Sequence, residues 1–214
     1  MTEPERERLA ESIRALVRAT RITQTDAAAI GSAQELIDRA TELLAADTFE
    51  GPHCQVGFGS IVDGVDFSGP PPRWFPFSPV IGRCNPLSPP VELDVVEEVI
   101  DGATAKVIVG TVTVTEAYNG PPWDNTHGGV IAAIFDELLG SAAIAEAGGG
   151  YTGRLTVNYR QSTPILQPLE LRGWVADIDS RKVTAKGEIR CGGAVTADAE
   201  GLFIQTAGTL TSSD

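Results

Sequence analysis

Cysteine, histidine and cationic side chains are all scarce in this chain. Its three cysteines, Cys54, Cys84 and Cys191, are odd in number and widely separated, and none forms a Cys-x-x-Cys pair. Neither a disulfide framework nor a zinc site is therefore expected, and a reducing, cytoplasmic location fits best. With only His53 and His127 available, a histidine-rich metal site is not expected either, and His53 beside Cys54 reads as a loop pair. No metal or cofactor is anticipated. Lys and Arg total 16 against 29 Asp and Glu, a formal charge of -13; nucleic acid is an unsuitable partner, because binding its backbone needs clustered cations. The longest apolar run falls far short of the roughly 20 residues that cross a bilayer, so no membrane span is expected. MTEPERERLAESIRALV is too charged for a signal peptide. A Gly-x-Ser-x-Gly nucleophile motif and internal repeats are also missing.

What the chain has is a composition sufficient for a core, with 42% hydrophobic residues over 214 positions. From Pro4 to Thr20, Leu9, Ile13, Leu16 and Val17 recur at helical spacing among charged residues. A second helix is expected through about Ala46, with Ser32 as N-cap, Glu35 three residues later, and Leu36, Ile37, Ala40, Leu43 and Leu44 as its buried stripe. Residues 51–90 are dense in Gly and Pro, which discourages regular structure. Yet Phe58, Phe67, Trp74, Phe75 and Phe77 make that stretch too aromatic for a disordered linker, and an ordered, packed connection is expected.

Beyond Val91 the pattern turns to strands: VELDVVEEV, then ATAKVIVGTVTVTEAY, then three or four more between GRLTVNYRQS and AVTADAEGLFIQT. A helix from about His127 to Ala147 interrupts them and ends at Gly148, Gly149 and Gly150. Strands, one long helix and strands again predict an α+β fold, a mostly antiparallel sheet against one helix. Gly148, Gly150 and Gly153 satisfy a literal Gly-x-Gly-x-x-Gly, but they follow a helix and enter a strand, the reverse of a dinucleotide-binding turn.

The segment GPPWDNTHGGVIAAIFDELLG, residues 120–140, carries the chemistry. Asp136 and Glu137 sit in an otherwise apolar helix, where an unpartnered carboxylate costs several kcal/mol. Residues three, four and seven apart share a helix face, so Asp136 lies among Ala132, Ala133, Gly140 and Ala143, which leaves space for a ligand or a close-packed strand. Glu137 turns about 100° away and reads as a solvated or structural neighbour. At the helix start, Gly128, Gly129 and Val130 offer amides without intrahelical acceptors at the positive end of the dipole. An oxygen that becomes negative during acyl transfer could be held there. Taken singly, each feature also has a plain structural role: the glycines permit tight packing, Asp124, Asn125 or Thr126 can cap the helix, and His127 can cap or pack.

Together these residues resemble the hotdog-fold acyl-CoA thioesterases, in the branch related to phenylacetate-pathway and THEM-type enzymes. The resemblance rests on Gly120 to Pro122, on His127-Gly128-Gly129, and on an acid nine residues after the histidine, Asp136. VIGRCNPLSPPVEL and YTGRLTVNYRQSTP extend it over residues 76–206. It implies a curved antiparallel sheet wrapped around the helix in a hotdog domain, residues 76–214, preceded by an N-terminal helical extension and Pro/Gly-rich connection, residues 1–75. It also implies a homodimer or dimer of dimers with acyl-CoA bound between protomers. Asp136 would be general base or nucleophile, Gly129 with the Val130 amide would polarise the thioester carbonyl, and His127 would shape the site. Thr152 would orient water from the partner subunit, and Gly128 and Asn125 would contact substrate. Where several small family members place an Asn six residues before the His, this chain has Pro121.

The acidic balance favours CoA over an acyl carrier protein, itself usually acidic. Arg154, Arg160, Arg172, Arg181 and Lys182 are candidate contacts for CoA phosphates, or solvent-facing strand residues. Two alternatives share the scaffold: a non-catalytic acyl-CoA-binding protein, and an enoyl-thioester hydratase, which needs Asp and His side by side. His127 and Asp136 are instead about 13 Å apart along a helix.

Overall fold

Alternating, β-branched segments have built one antiparallel sheet, and the apolar helix between them lies against it. The computed structural model describes residues 3–51, 53–55, 57–58, 67–121 and 123–205. In chain order come α1 (Glu3–Ile22), α2 (Ala27–Ala45), a two-residue ladder of β1 (His53–Cys54) and β2 (Gly57–Phe58), and the short α3 (Pro71–Trp74). Then follow β3 (Glu92–Ile100), β4 (Ala103–Thr113), a 3-10 turn (Glu116–Tyr118), and the pair β5 (Asn119–Gly120) and β6 (Asn125–Thr126). The long α4 (Gly128–Ala147) precedes β7 (Tyr151–Tyr159), β8 (Pro168–Asp179), β9 (Lys182–Cys191) and β10 (Ala194–Ile204).

The six-stranded sheet has the order β3-β4-β8-β9-β10-β7, every neighbour antiparallel. α4 packs against β4, β7, β8, β9 and β10. Its Ile134, Phe135, Leu138 and Leu139 are buried with Ile108, Leu171, Ile189 and Phe203 of the sheet, and each such side chain contributes about 1.5–3 kcal/mol on leaving water. The helix can approach because Gly173 and Gly187 face each other in register. A Cβ on Gly173 would lie 2.9 Å from Leu138 Cγ, and one on Gly187 would lie 2.9 Å from Leu139 Cδ2. This is the hotdog fold that the resemblance implied.

α4 ends where the three glycines predicted. Gly148 takes the left-handed conformation at φ 75°, and the Gly148 and Gly149 amides close on the Ile144 and Ala143 carbonyls. By length and composition α4 could also cross a membrane, with a mean hydropathy of 1.6 over its 18-residue window. That corrects the expectation that no segment is long and apolar enough. Asp136 and Glu137 interrupt the apolar run without lowering the average much, and in this fold the helix is the core against the sheet.

Two expectations about the N-terminal helices fail. The N-cap of α2 is Asp26, whose carboxylate accepts from the Ala29 amide at 2.9 Å. Ser32 sits inside the helix, donating to the Ala28 carbonyl. Three alanines after Asp26 have the highest helix propensity of any residue, so the helix starts earlier. The stripe of α2 is not buried either: no residue of this helix is, and Leu36 and Leu43 are 70% and 73% exposed. The periodicity was right, but among the described residues nothing covers the stripe.

The Pro-rich connection is ordered and packed where it is described. Trp74 is fully buried, donates from Nε1 to the Gly69 carbonyl at 2.7 Å, and meets Phe67 edge-on at 5.3 Å. Phe67 and Phe75 pack against the same core as α4, so packing runs straight across residues 75 and 76. The side chains of Cys54 and Phe58 and the backbone of Pro122 lie outside the described residues. His53 and Cys54, read as loop residues, form the short β1.

Candidate functional site

The two acids of α4 have opposite environments. Glu137, expected to be the solvated neighbour, is partly buried, and its Oε1 accepts from the Ser78 hydroxyl at 2.6 Å. Ser78 is itself fully buried, and its Oγ accepts from the Val80 and Ile81 amides at 3.2 and 3.3 Å. Burial pushes the Glu137 carboxyl up, the Ser78 hydroxyl partly opposes the rise, and neighbouring Asp136 adds to it. Glu137 therefore clasps the Pro-rich connection to the helix. Asp136 is the exposed acid.

Among the described residues, the side-chain partner of Asp136 is Thr152, whose hydroxyl donates to Oδ1 at 2.9 Å. The resemblance placed this threonine on a partner subunit; here the pair forms within one chain, because β7 returns antiparallel beside β10 and brings its start to the middle of α4. Strand alternation alone would not aim Thr152 there. Leu155, Val157 and Tyr159 oppose Gly201, Ala199 and Ala197, the α4-facing residues of β10, so simple alternation assigns that face to Gly153. A register shift between Leu202 and Phe203 leaves Gly153 unpaired, and Thr152 takes the place opposite Phe203. Such a bulge re-aims a side chain, as bulges beside functional sites often do.

At the other end of α4, His127 is the N-cap. Its Nδ1 accepts from the Gly129 amide at 3.0 Å, and its carbonyl accepts from the Val130 and Ile131 amides. Gly129 and Val130, the anticipated carbonyl-polarising donors, are thus engaged internally. The Gly128 amide is the first-turn donor without a recorded acceptor among the described residues. The Gly128 carbonyl accepts from the Tyr159 hydroxyl at 2.9 Å, which ties this turn to β7. Gly120 lets β5 lie close against the histidine: a Cβ there would lie 2.8 Å from His127 Cα. The Asn125 side-chain amide donates to the Trp123 carbonyl at 3.0 Å.

The cationic candidates are mostly paired. Arg154 faces Glu200 at 3.6 Å, Arg160 pairs with Asp198, and Arg172 reaches Glu98 at 2.7 Å while lying over the Trp174 ring. The Arg160 guanidinium and Asn158 amide hold the Asp198 carboxyl below its ordinary range. Asp198 and Glu200 alternate with buried Ala197 and Ala199, so Arg154 and Arg160 lie on the sheet face away from α4 rather than beside Asp136. Arg181 and Lys182, at the β8–β9 turn, make no ion pair among the described residues. Cys84 and Cys191 are free thiols, and no group of three His, Cys, Asp or Glu suited to a metal occurs among the described residues.

The structure thus brings Asp136 and Thr152 together and leaves His127 and Gly128 at the far end of the same helix, about 12 Å away at 1.5 Å per residue. Sequence reading missed the Ser78–Glu137 clasp, since 59 residues separate the partners, and it missed Tyr159, whose hydroxyl contact gives no local signal.

Comparison with known proteins agrees with this architecture. The thioesterase superfamily model matches residues 124–197, which run from the approach to His127 into β10. The acyl-coenzyme A thioesterase THEM4 of Xenopus laevis is 35% identical over 88 residues, 40% of this chain, and the match spans about two-fifths of that protein, 39%. A crystal structure of a thioesterase superfamily protein is 31% identical, with a TM-score of 0.72, covering 94% of this chain and 90% of its own. Fold, motif segment and whole-chain likeness agree, and the chain belongs to the thioesterase superfamily.

Proposed function

We propose that this protein hydrolyses acyl-CoA thioesters to the free acid and CoA, at a site shared between two copies of the chain. The observation that carries the reading is Asp136, an exposed carboxylate midway along the core helix, oriented by the Thr152 hydroxyl. The name of the THEM4 relative supports the substrate class. One protomer cannot act on one carbonyl with both the start of α4 and Asp136, because the Gly128 amide and Asp136 are about 12 Å apart. A second copy in antiparallel contact would bring its Gly128 to this Asp136.

In such a site the Gly128 N–H, at the positive end of the α4 dipole, meets the carbonyl oxygen as it becomes negative. The Asp136 carboxylate either takes a proton from the attacking water or attacks the carbonyl carbon itself, giving an anhydride that water opens. By either route the C–S bond breaks, the electron pair leaves on sulfur, and CoA departs as thiol once protonated. Thr152 holds the carboxylate in position through its hydrogen bond. A homodimer, or a dimer of dimers, is the assembly this chemistry requires.

The test is release of free thiol from short, long and aromatic acyl-CoA substrates by the purified chain. Hydrolysis that disappears in Asp136→Asn supports the reading. A wild-type protein that binds one of these thioesters without turning any over overturns it in favour of a binding protein.

A further inference from the structure

α2 is an amphipathic helix whose apolar stripe no described residue of its own protomer covers. Ile30, Ile37 and Leu44 lie beside Leu36 and Leu43 on an arc of roughly 140°, and all five are exposed. An apolar stripe on the order of several hundred Å² is more than a soluble monomer commonly leaves open. We propose that α2 is an arm that packs this stripe onto the second protomer, beside the helix N-terminus of its own chain.

Three observations select that occupant. First, the arm is anchored at one particular edge. Arg14 donates to the Arg83 and Asn85 carbonyls, Arg18 pairs with Glu116 at 2.8 Å, and Arg21 reaches Asn119. Asn119 pairs in turn with Thr126, the residue before His127. Four linker residues, 23–26, then separate α1 from α2, so α2 begins within about 18 Å of the end of α1. It leaves the protomer from the side where a shared site needs the other copy. Second, the opposite face of α2 carries Glu35, Asp38 and Glu42 against Arg39, on a chain of charge -13, which repels an anionic membrane surface. Third, the whole-chain structural likeness covers 94% of the residues and so includes most of the 43-residue helical arm, residues 3–45, as part of the shared architecture.

The inference rests on the shared-site reading for the direction of the partner, and its test separates the two. Leu43 is replaced by photoreactive benzoylphenylalanine in the full-length chain, and isotopically light and heavy copies are mixed before irradiation. The expected product is a covalent dimer, about twice 22.5 kDa, whose linked peptides join light to heavy chains. Leu36→Asp with Leu43→Asp is expected to raise the dimer dissociation constant at least tenfold in sedimentation, with near-UV circular dichroism unchanged because α2 buries nothing within its protomer. A crosslink confined to one chain, transfer of the label to phosphatidylcholine–phosphatidylglycerol vesicles, or an unchanged dissociation constant overturns the arm. Intermolecular crosslinking without acyl-CoA hydrolysis leaves the arm standing and removes the thioesterase reading. Hydrolysis without an intermolecular crosslink does the reverse, and a monomeric wild type removes both the arm and the shared site.

Discussion

Thr152 donates its hydroxyl hydrogen bond to Asp136 Oδ1 at 2.9 Å, across the gap between the start of β7 and the middle of α4. Asp136→Asn is expected to lower kcat roughly 10²- to 10⁴-fold, the usual worth of a positioned acid–base group. Thr152→Ala, which removes one hydrogen bond to a charged group, is expected to cost about tenfold to 100-fold in kcat. Thr152→Ser keeps the hydroxyl and should recover most of it. Steady-state thiol release, with thermal unfolding to confirm an unchanged fold, measures all three; full activity in Thr152→Ala would show that the bond does not orient the acid.

His127 acts on α4 first as an N-cap, through the 3.0 Å bond from the Gly129 amide to Nδ1. His127→Ala leaves that amide without its side-chain partner and is expected to cost about 0.5–2 kcal/mol in urea unfolding. His127→Asn, a good capping residue, should restore much of the stability. If neither variant alters stability, the cap contributes nothing.

Glu137 should make stability depend on pH in a defined direction. Its folded-state pKa is raised, chiefly by burial, so the native state holds the proton more tightly than the unfolded chain. The contribution is fully present below the unfolded value of about 4.3 and is lost as pH rises through the raised folded value. Glu137→Gln removes the titration while keeping an oxygen to accept from Ser78. Unfolding midpoints across the acidic and neutral range should therefore shift in favour of the variant as pH rises. A constant difference between the two proteins would contradict the assignment.

Gly120 is required by proximity. A Cβ there would stand 2.8 Å from His127 Cα, so Gly120→Ala must push the β5–β6 pair away from the start of α4. Overpacking of this kind costs typically 1–3 kcal/mol, and the displaced histidine should lower kcat beyond what the stability loss explains. Calorimetry and thiol release on one preparation separate the two effects, and a variant with wild-type stability would show that the loop gives way freely.

The order of elements, the ends of α4 and the pairing of His-Gly-Gly with an acid nine residues on were legible in the sequence, because they depend on local spacing, capping and glycine conformation. Which acid is exposed was legible only in part. A helix wheel separates Asp136 from Glu137 by about 100°, but it does not tell that Ser78 covers one and β7 flanks the other. Alternation alone would put Gly153 in the α4-facing place, whereas a single unpaired residue puts Thr152 there.

The sequence by itself determined that an apolar, acid-bearing helix would end at Gly148 and lie on an antiparallel sheet, since hydrophobic period and backbone freedom act over a few residues. Tertiary structure alone decided that Glu137 is clasped and Asp136 open, and that α2 finds no cover among the described residues of its own chain. The environments of the two acids depend on partners 16 and 59 positions away meeting them at hydrogen-bond distance. Contacts between distant segments are set by the register of the sheet and the docking of the helix, which no local pattern encodes.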